Sequence, residues 1–271
     1  MLRSRSRRYA PVCARLGPDR TEGRRHQPFD MNLSPTWVST CPPGPRLHDS
    51  GVMRHLFLDL DGTLTDPAPG IGACFVHTAR ALGHASITVA DVRRFIGPPL
   101  REAFREILVT DDVVRIEEAV TIYRQRFASV GLFENSVYPG VHDTLARLRQ
   151  AGYQLCVVTS KAAPYANRII DHFGLRELLP RVYGAELSGE RSTKAELVAH
   201  VLELEQLEPA EACMVGDREH DVLGAKANGT YAIGVIWGYG SRAELEAAGA
   251  DRVVDTLEDL IPAARSLFGL P

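Results

Sequence analysis

The chain has 271 residues, 45% of them hydrophobic and 24% charged, with a formal net charge of −3. These proportions are those of a soluble globular protein and exclude a wholly disordered, collagenous or coiled-coil chain. The longest apolar run, Tyr231 to Trp237, falls far short of the roughly 20 residues a membrane-spanning helix needs, so no membrane partner is expected.

Residues 1–52 hold nine Arg, four acids and seven of the 17 prolines, with no apolar periodicity. Such a composition buries too little surface to offset chain entropy, and disorder is expected there. The prolines leave no amphipathic transit helix, and there is no apolar stretch of the kind a secretory signal needs. The preferred reading is an extension upstream of Met53, because folded-looking sequence begins at His55.

From His55 the pattern alternates. Short apolar runs at 55–60, 153–158, 182–183, 212–215 and 231–236 read as strands. Between them lie amphipathic stretches, such as Val141, Leu145 and Leu148 or Leu197, Val201 and Leu204, that read as helices. Gly152, Gly174 and Gly229 stand where helices should end. Unbroken apolar strands alternating with helices predict an α/β fold with a doubly wound, mostly parallel, Rossmann-like sheet. Residues 67–138 break the alternation and read as helices only, near 71–82, 89–95, 100–108 and 112–130. The expected organisation is therefore a core of residues 53–66 and 139–271, with an all-helical cap at 67–138 on two hinge-like linkers.

The body, residues 53–271, carries 22 basic and 30 acidic residues. With no basic stripe, nucleic acid is not the expected partner. Five cysteines at 13, 41, 74, 156 and 213 form no CxxC. Cys156 and Cys213 read as buried reduced thiols, and a cytoplasmic location is expected.

In an open parallel sheet, functional groups collect at the carboxyl ends of the strands. Here those ends carry Asp59 and Asp61, then Thr159, Ser160 and Lys161, then Asp217, with Asp221 four residues on; Lys194 opens a helix after Ser192-Thr193. Clustered carboxylates need a cation, and an oxygen-only set selects Mg²⁺, which Asp59 and Asp217 could share. A cation, an amine and a hydroxyl together suit the spread charge of a phosphoryl group. Asp61 could then protonate a leaving oxygen and later deprotonate water.

DLDGTLTD (59–66), VVTS ending in Thr159-Ser160, Lys194 and GDREHD (216–221) resemble the four ordered motifs of the haloacid dehalogenase superfamily. The resemblance spans about 53–268 and includes the place of the helical insert. FIGPPL (95–100) and IGVIWGYGS (233–241) resemble the phosphoglycolate phosphatase-like group, in particular its bacterial 5′-nucleotidases. The resemblance implies Asp59 as nucleophile forming an aspartyl-phosphate and Asp61 as general acid/base. Thr159 and Lys194 would hold phosphoryl oxygens, with Gly62, Thr63 and Ser160 also in the substrate site. Mg²⁺ would take Asp59, the Asp61 carbonyl and Asp217, with Asp221 on its water shell or orienting Lys194. One departure is that Lys194 lacks the Lys-Pro usual at this motif.

Each residue has a plainer reading alone: a turn at Asp59–Gly62, a helix cap at Asp217, solvated Thr159 and Lys194. All four in order outweigh those readings. The GYG at 238–240 is either a pocket wall or a turn, His220 reads as a surface helix position, and Gly97 either faces the crevice or packs a helix start. Phe75, Phe95 and Phe127 read as core. No nucleophile elbow or P-loop occurs, which sets aside serine hydrolase and kinase readings. The expected function is a Mg²⁺-dependent phosphomonoesterase for a small phosphorylated metabolite, a nucleoside 5′-monophosphate or 2-phosphoglycolate. The alternatives are a sugar-phosphate phosphatase or mutase, a pyrophosphatase or, in another class, a receiver-like signalling domain. A monomer or homodimer is expected.

Overall fold

The computed structural model describes residues 53–96 and 98–270. The expectations for 1–52 and for Gly97 lie outside them. Six parallel strands form one sheet in the order β5-β4-β1-β6-β7-β8. They are β1 (His55–Leu58), β4 (Gln154–Ala162), β5 (Arg181–Ala185), β6 (Ala212–Gly216), β7 (Tyr231–Val235) and β8 (Arg252–Val254). Helices α5 (Val141–Gln150), α6 (Ala163–His172), α7 (Lys194–Glu205), α8 (Glu219–Ala227), α9 (Arg242–Ala247) and α10 (Leu260–Leu267) connect and cover them. This is the doubly wound sheet the alternation predicted; β8, three residues long, is too short to leave a periodicity.

The strands are buried on both faces, and their period-two alternation sorts side chains between two cores. Leu56, Leu58, Leu155, Val157, Cys213 and Val215 point to one side, packed with Leu145 and Leu148 of α5 and with Leu260 and Ala264 of α10. Phe57, Cys156, Val158, Ala212 and Met214 point to the other, against Leu197, Val198 and Val201 of α7 and Val222 of α8. Phe57 is fully buried, and a side chain of that size contributes about 1.5–3 kcal/mol by leaving water. Cys74, Cys156 and Cys213 are free and buried; burial pushes the Cys156 thiol up to about 12, as expected of the inert, apolar thiols read at 156 and 213, whereas Cys74 accepts from Arg126 Nη1 at 3.0 Å.

Between β1 and α5 the chain forms a helical block: α1 (Ala68–Ala81), α2 (Val89–Val92), α3 (Leu100–Leu108) and α4 (Val113–Arg126). Its core is aromatic. The Phe75 ring lies 5.3 Å from Phe104, 5.0 Å from Tyr123 and 6.1 Å from Phe95. Asp112 starts α4 by accepting from the Val114 N–H at 2.9 Å, and α4 ends in a widened π turn at Phe127–Gly131. The interval is not helical throughout. Ser136–Val137 (β3) pairs antiparallel with Thr65–Asp66 (β2), so the two linkers form one short ribbon. The sequence hides it because each strand has two residues and takes its register from the other.

Candidate active site

The site assembles at the carboxyl edge of the sheet. The Asp59 N–H donates to the Val215 carbonyl at 2.9 Å, extending the β1–β6 ladder by one residue. The chain then turns at Gly62, whose φ of +86° suits only glycine without strain. A side chain at Gly62 would be obstructed as well, since its Cβ would sit 2.3 Å from Asp217 Oδ2.

Lys194 is set by a capping box. Thr193 Oγ1 accepts from the Glu196 N–H at 3.3 Å, and Glu196 Oε2 accepts from the Thr193 N–H at 3.2 Å, which fixes Lys194 as the first residue of α7. Its ammonium is buried. Nζ donates to Asp59 Oδ1 at 2.7 Å and to the Val158 carbonyl at 3.0 Å, and it lies 2.8 Å from Asp221 Oδ1. The contact with Asp221 is ionic, since Oδ1 has no aligned hydrogen bond. Burial alone would depress the Lys194 pKa, but Asp221 and Asp59 outweigh it and hold the pKa above the ordinary lysine value. Asp221 also caps α8, its Oδ2 accepting from the Arg218 N–H at 3.1 Å. The plain capping reading thus applies to Asp221 and not to Asp217.

Asp217 is fully buried. Its Oδ2 accepts from the Tyr239 N–H at 2.8 Å and its Oδ1 from the Thr63 hydroxyl at 3.3 Å. The loop after β7 presses onto it, because a Cβ at Gly238 would lie 2.4 Å from its Oδ2. Burial, then the charges of Asp221 and Asp59, push the Asp217 carboxyl up to about 8. Asp59, Asp217 and Asp221 each offer a carboxylate oxygen within 4.8 Å of the other two. Three converging hard oxygens, on carboxyls whose burial and mutual repulsion a cation would relieve, fit a divalent cation such as Mg²⁺.

Asp61 lies beside this cluster. Its Oδ2 pairs with Lys161 Nζ at 2.7 Å, while Oδ1 has no hydrogen-bond partner. Burial raises its pKa, against the opposing pull of Lys161. Lys161 Nζ also lies 4.6 Å above the Phe127 ring of the helical block. The sequence places this lysine at the strand end but assigns it no chemistry. Its position two residues after Thr159 was the available signal, but its partner lies 100 residues away.

A cavity of about 360 Å³ lies between the strand ends and the helical block. Asp59, Asp61, Thr159, Ser160, Lys194 and Asp221 all line it. The Thr159 hydroxyl accepts from the Lys161 N–H at 3.3 Å. Gly62, Thr63 and Asp217 are not in the cavity wall; the first two pack on Asp217 behind it. His220 is exposed and lines the cavity. Phe75, Phe95 and Phe127 are buried as expected for core, and also form part of the cavity wall. The GYG does not line the cavity: Tyr239 bridges Asp217 through its N–H and Asp66 of β2 through its hydroxyl, at 2.5 Å.

The sequence model of the haloacid dehalogenase-like hydrolases matches residues 56–235. The chain belongs to that family. It is 42% identical over 193 residues to a 5′-nucleotidase of Pseudomonas aeruginosa, covering 71% of this chain and 87% of the relative. It is also 40% identical over 186 residues to the tyrosine-protein kinase PtkA of Mycobacterium tuberculosis, covering 68% of this chain and 62% of the relative. Among solved structures, a predicted phosphatase from Clostridium acetobutylicum superposes with a TM-score of 0.75 at 34% identity, over 81% of this chain and all of the other. As a family member the chain is a hydrolase of the phosphatase type, a phosphomonoesterase.

Proposed function

We propose that this phosphatase hydrolyses a small phosphate monoester, a nucleoside 5′-monophosphate or 2-phosphoglycolate, through an aspartyl-phosphate on Asp59. The observation that carries this reading is the convergence on one cavity of Asp59, Asp61, Thr159 and Lys194, in contact with the three-carboxylate cluster. In the first step an Asp59 carboxylate oxygen attacks phosphorus and the bond to the leaving oxygen breaks. Asp61, whose burial favours its protonated form, donates its proton to that oxygen. In the second step Asp61 takes a proton from water as the water attacks phosphorus, and Asp59 is released with inorganic phosphate. Lys194 and Thr159 bind the equatorial oxygens. Mg²⁺ held by Asp59, Asp217 and the Asp61 carbonyl, with Asp221 beside it, would neutralise charge on the phosphoryl group. The α1–α4 block acts as a cap that keeps water from the reacting centre, closed by Phe127 against Tyr165 at 5.3 Å and by Arg218 Nη1 donating to the Ile96 carbonyl at 3.0 Å.

The test is a phosphate-release screen with Mg²⁺, run over nucleoside monophosphates, 2-phosphoglycolate, sugar phosphates, pyrophosphate and p-nitrophenyl phosphate. The expected result is turnover that stops in EDTA and returns with Mg²⁺. Full activity after verified metal removal, or no release from any ester, removes the proposal. The similarity to a named tyrosine kinase means that the lack of a P-loop does not by itself dispose of kinase chemistry, so the screen includes ATP with a tyrosine peptide.

A further inference from the structure

Six cationic side chains line the cavity: Arg101, Arg105, Arg124, Lys161, Lys194 and Arg218. Five are paired with carboxylates. Arg101 is held bidentately by Glu117, Arg105 by Asp111, Lys161 by Asp61, Lys194 by Asp59 and Asp221, and Arg218 by Glu244. Arg124 of α4 has no carboxylate within ion-pair distance among the described residues.

Arg124 is half-buried, and its one hydrogen bond runs from Nη2 to the Leu187 carbonyl in the loop after β5, at 2.8 Å. That engages one of five guanidinium donors. Its charged neighbours are the Arg101 guanidinium and the Glu117 carboxylate, with the Tyr165 hydroxyl beside them. Two guanidiniums against one carboxylate leave a positive excess around Arg124; of the other carboxylates in the cavity wall near it, Glu102 is exposed and Glu186 is paired with Arg191. Burial is the main influence lowering the Arg124 pKa, and Arg101 adds to it, yet a guanidinium stays charged at neutral pH. A half-buried cation without a counterion is costly, and a bound anion removes that cost. The excess also lies on a different element from the groups assigned to the reacting phosphate. Those come from strand ends and α7, whereas Arg101 and Arg124 come from α3 and α4.

We propose that Arg124, flanked by Arg101 and Tyr165, receives a second anionic group of the substrate, so that the leaving group itself carries a carboxylate or a second phosphate. This rests on the reading of the cavity as a phosphomonoester site and narrows it: a phosphorylated acid is preferred to a nucleotide whose leaving group is an uncharged nucleoside. Arg124 keeps or trades its bond to Leu187 while its remaining donors meet the anion.

The test separates the subsite from the chemistry. Equilibrium binding, in Mg²⁺, compares phosphonoacetate and 3-phosphonopropionate with methylphosphonate, which offers the same phosphoryl-like group without the carboxylate. One phosphonocarboxylate should bind on the order of 10-fold or more tightly than methylphosphonate, as expected for a charge-assisted contact. Arg124→Gln should erase the difference, and Arg124→Lys should keep part of it. The difference, not the absolute affinity, is read, because the variant also loses the tie to Leu187. In turnover, Arg124→Gln should cost on the order of 10- to 100-fold more in kcat/KM on 2-phosphoglycolate than on p-nitrophenyl phosphate or AMP. Equal binding of the probes by the unaltered protein, a preference that survives Arg124→Gln, or equal losses on acid and nucleotide would overturn the proposal. Discrimination between the probes without turnover of any ester would leave the anion subsite standing and remove the phosphatase mechanism instead.

Discussion

Asp217→Asn should stabilise the metal-free protein while destroying its response to Mg²⁺. Burial and two neighbouring carboxylates move the Asp217 carboxyl from its ordinary 3.8 to about 8. Between those values the folded protein holds a proton that the unfolded chain releases. Stability from this group is therefore greatest below pH 3.8 and is lost as pH rises towards 8, by about 1.4 kcal/mol per pH unit. At pH 7 the accumulated cost is about 4 kcal/mol. Asparagine carries no such cost and fits the same contacts: its carbonyl accepts the Tyr239 N–H, and the Thr63 hydroxyl turns to accept from its amide. Urea unfolding in EDTA from pH 5 to 9 should show the variant more stable at pH 7–8, with a slope reduced by one proton; Asp61 and Asp221, also raised by burial, supply the rest. Adding Mg²⁺ should narrow the gap. A cation at 100 times its dissociation constant stabilises the native state by about 2.7 kcal/mol, and only the protein with all three carboxylates should gain it. Identical pH slopes in EDTA, or equal Mg²⁺ stabilisation of both proteins, would refute the reasoning.

Asp59→Asn should abolish turnover, whereas Asp61→Asn should lose about 10²- to 10⁴-fold on a nucleotide and less on p-nitrophenyl phosphate, whose leaving oxygen needs little protonation; equal proportional losses on both esters count against the acid/base role. Gly238→Ala should weaken the Mg²⁺-induced rise in melting temperature, because the new methyl would lie 2.4 Å from Asp217 Oδ2 and from the Gly62 carbonyl; an unaltered rise would show that the cradle can yield. His55 is held near 4 by burial, with Arg181 assisting. The folded state therefore resists a proton that the unfolded chain accepts below pH 6.5, and stability should fall by up to about 3 kcal/mol as pH drops from 6.5 to 4. His55→Leu should flatten that part of the pH–stability curve, and an unchanged curve would assign the loss to other groups.

The layout of the candidate site was legible because a parallel sheet sends its strand ends to one edge. Asp59, Thr159 and Asp217 each follow a run of buried apolar residues, so the pattern that identifies the strand also places the residue after it. Gly152, Gly174 and Gly229 marked helix ends and do have positive φ there. Contacts that depend on tertiary approach were not legible. Lys161 meets Asp61 only because β4 lies beside β1, and Arg124 reaches the cavity only because α4 folds over it. Tyr239 read equally as pocket wall or turn, and its bridge between Asp217 and Asp66 exists only in three dimensions. Composition encodes none of these distances, and the two-residue strands of the ribbon have no periodicity to detect.

That ribbon makes the helical block exchangeable. Because β2 and β3 run antiparallel and are hydrogen-bonded, the block's entry and exit points stand one strand spacing apart, about 4.8 Å. Any segment whose ends lie side by side can be grafted between Asp66 and Ser136 without moving a strand of the main sheet, and a tight two-residue turn could close the gap outright. Chimeras between relatives can therefore be cut at this junction. They would inherit the acids at the strand ends from one parent and, if Arg124 selects the leaving group as proposed, that choice from the other.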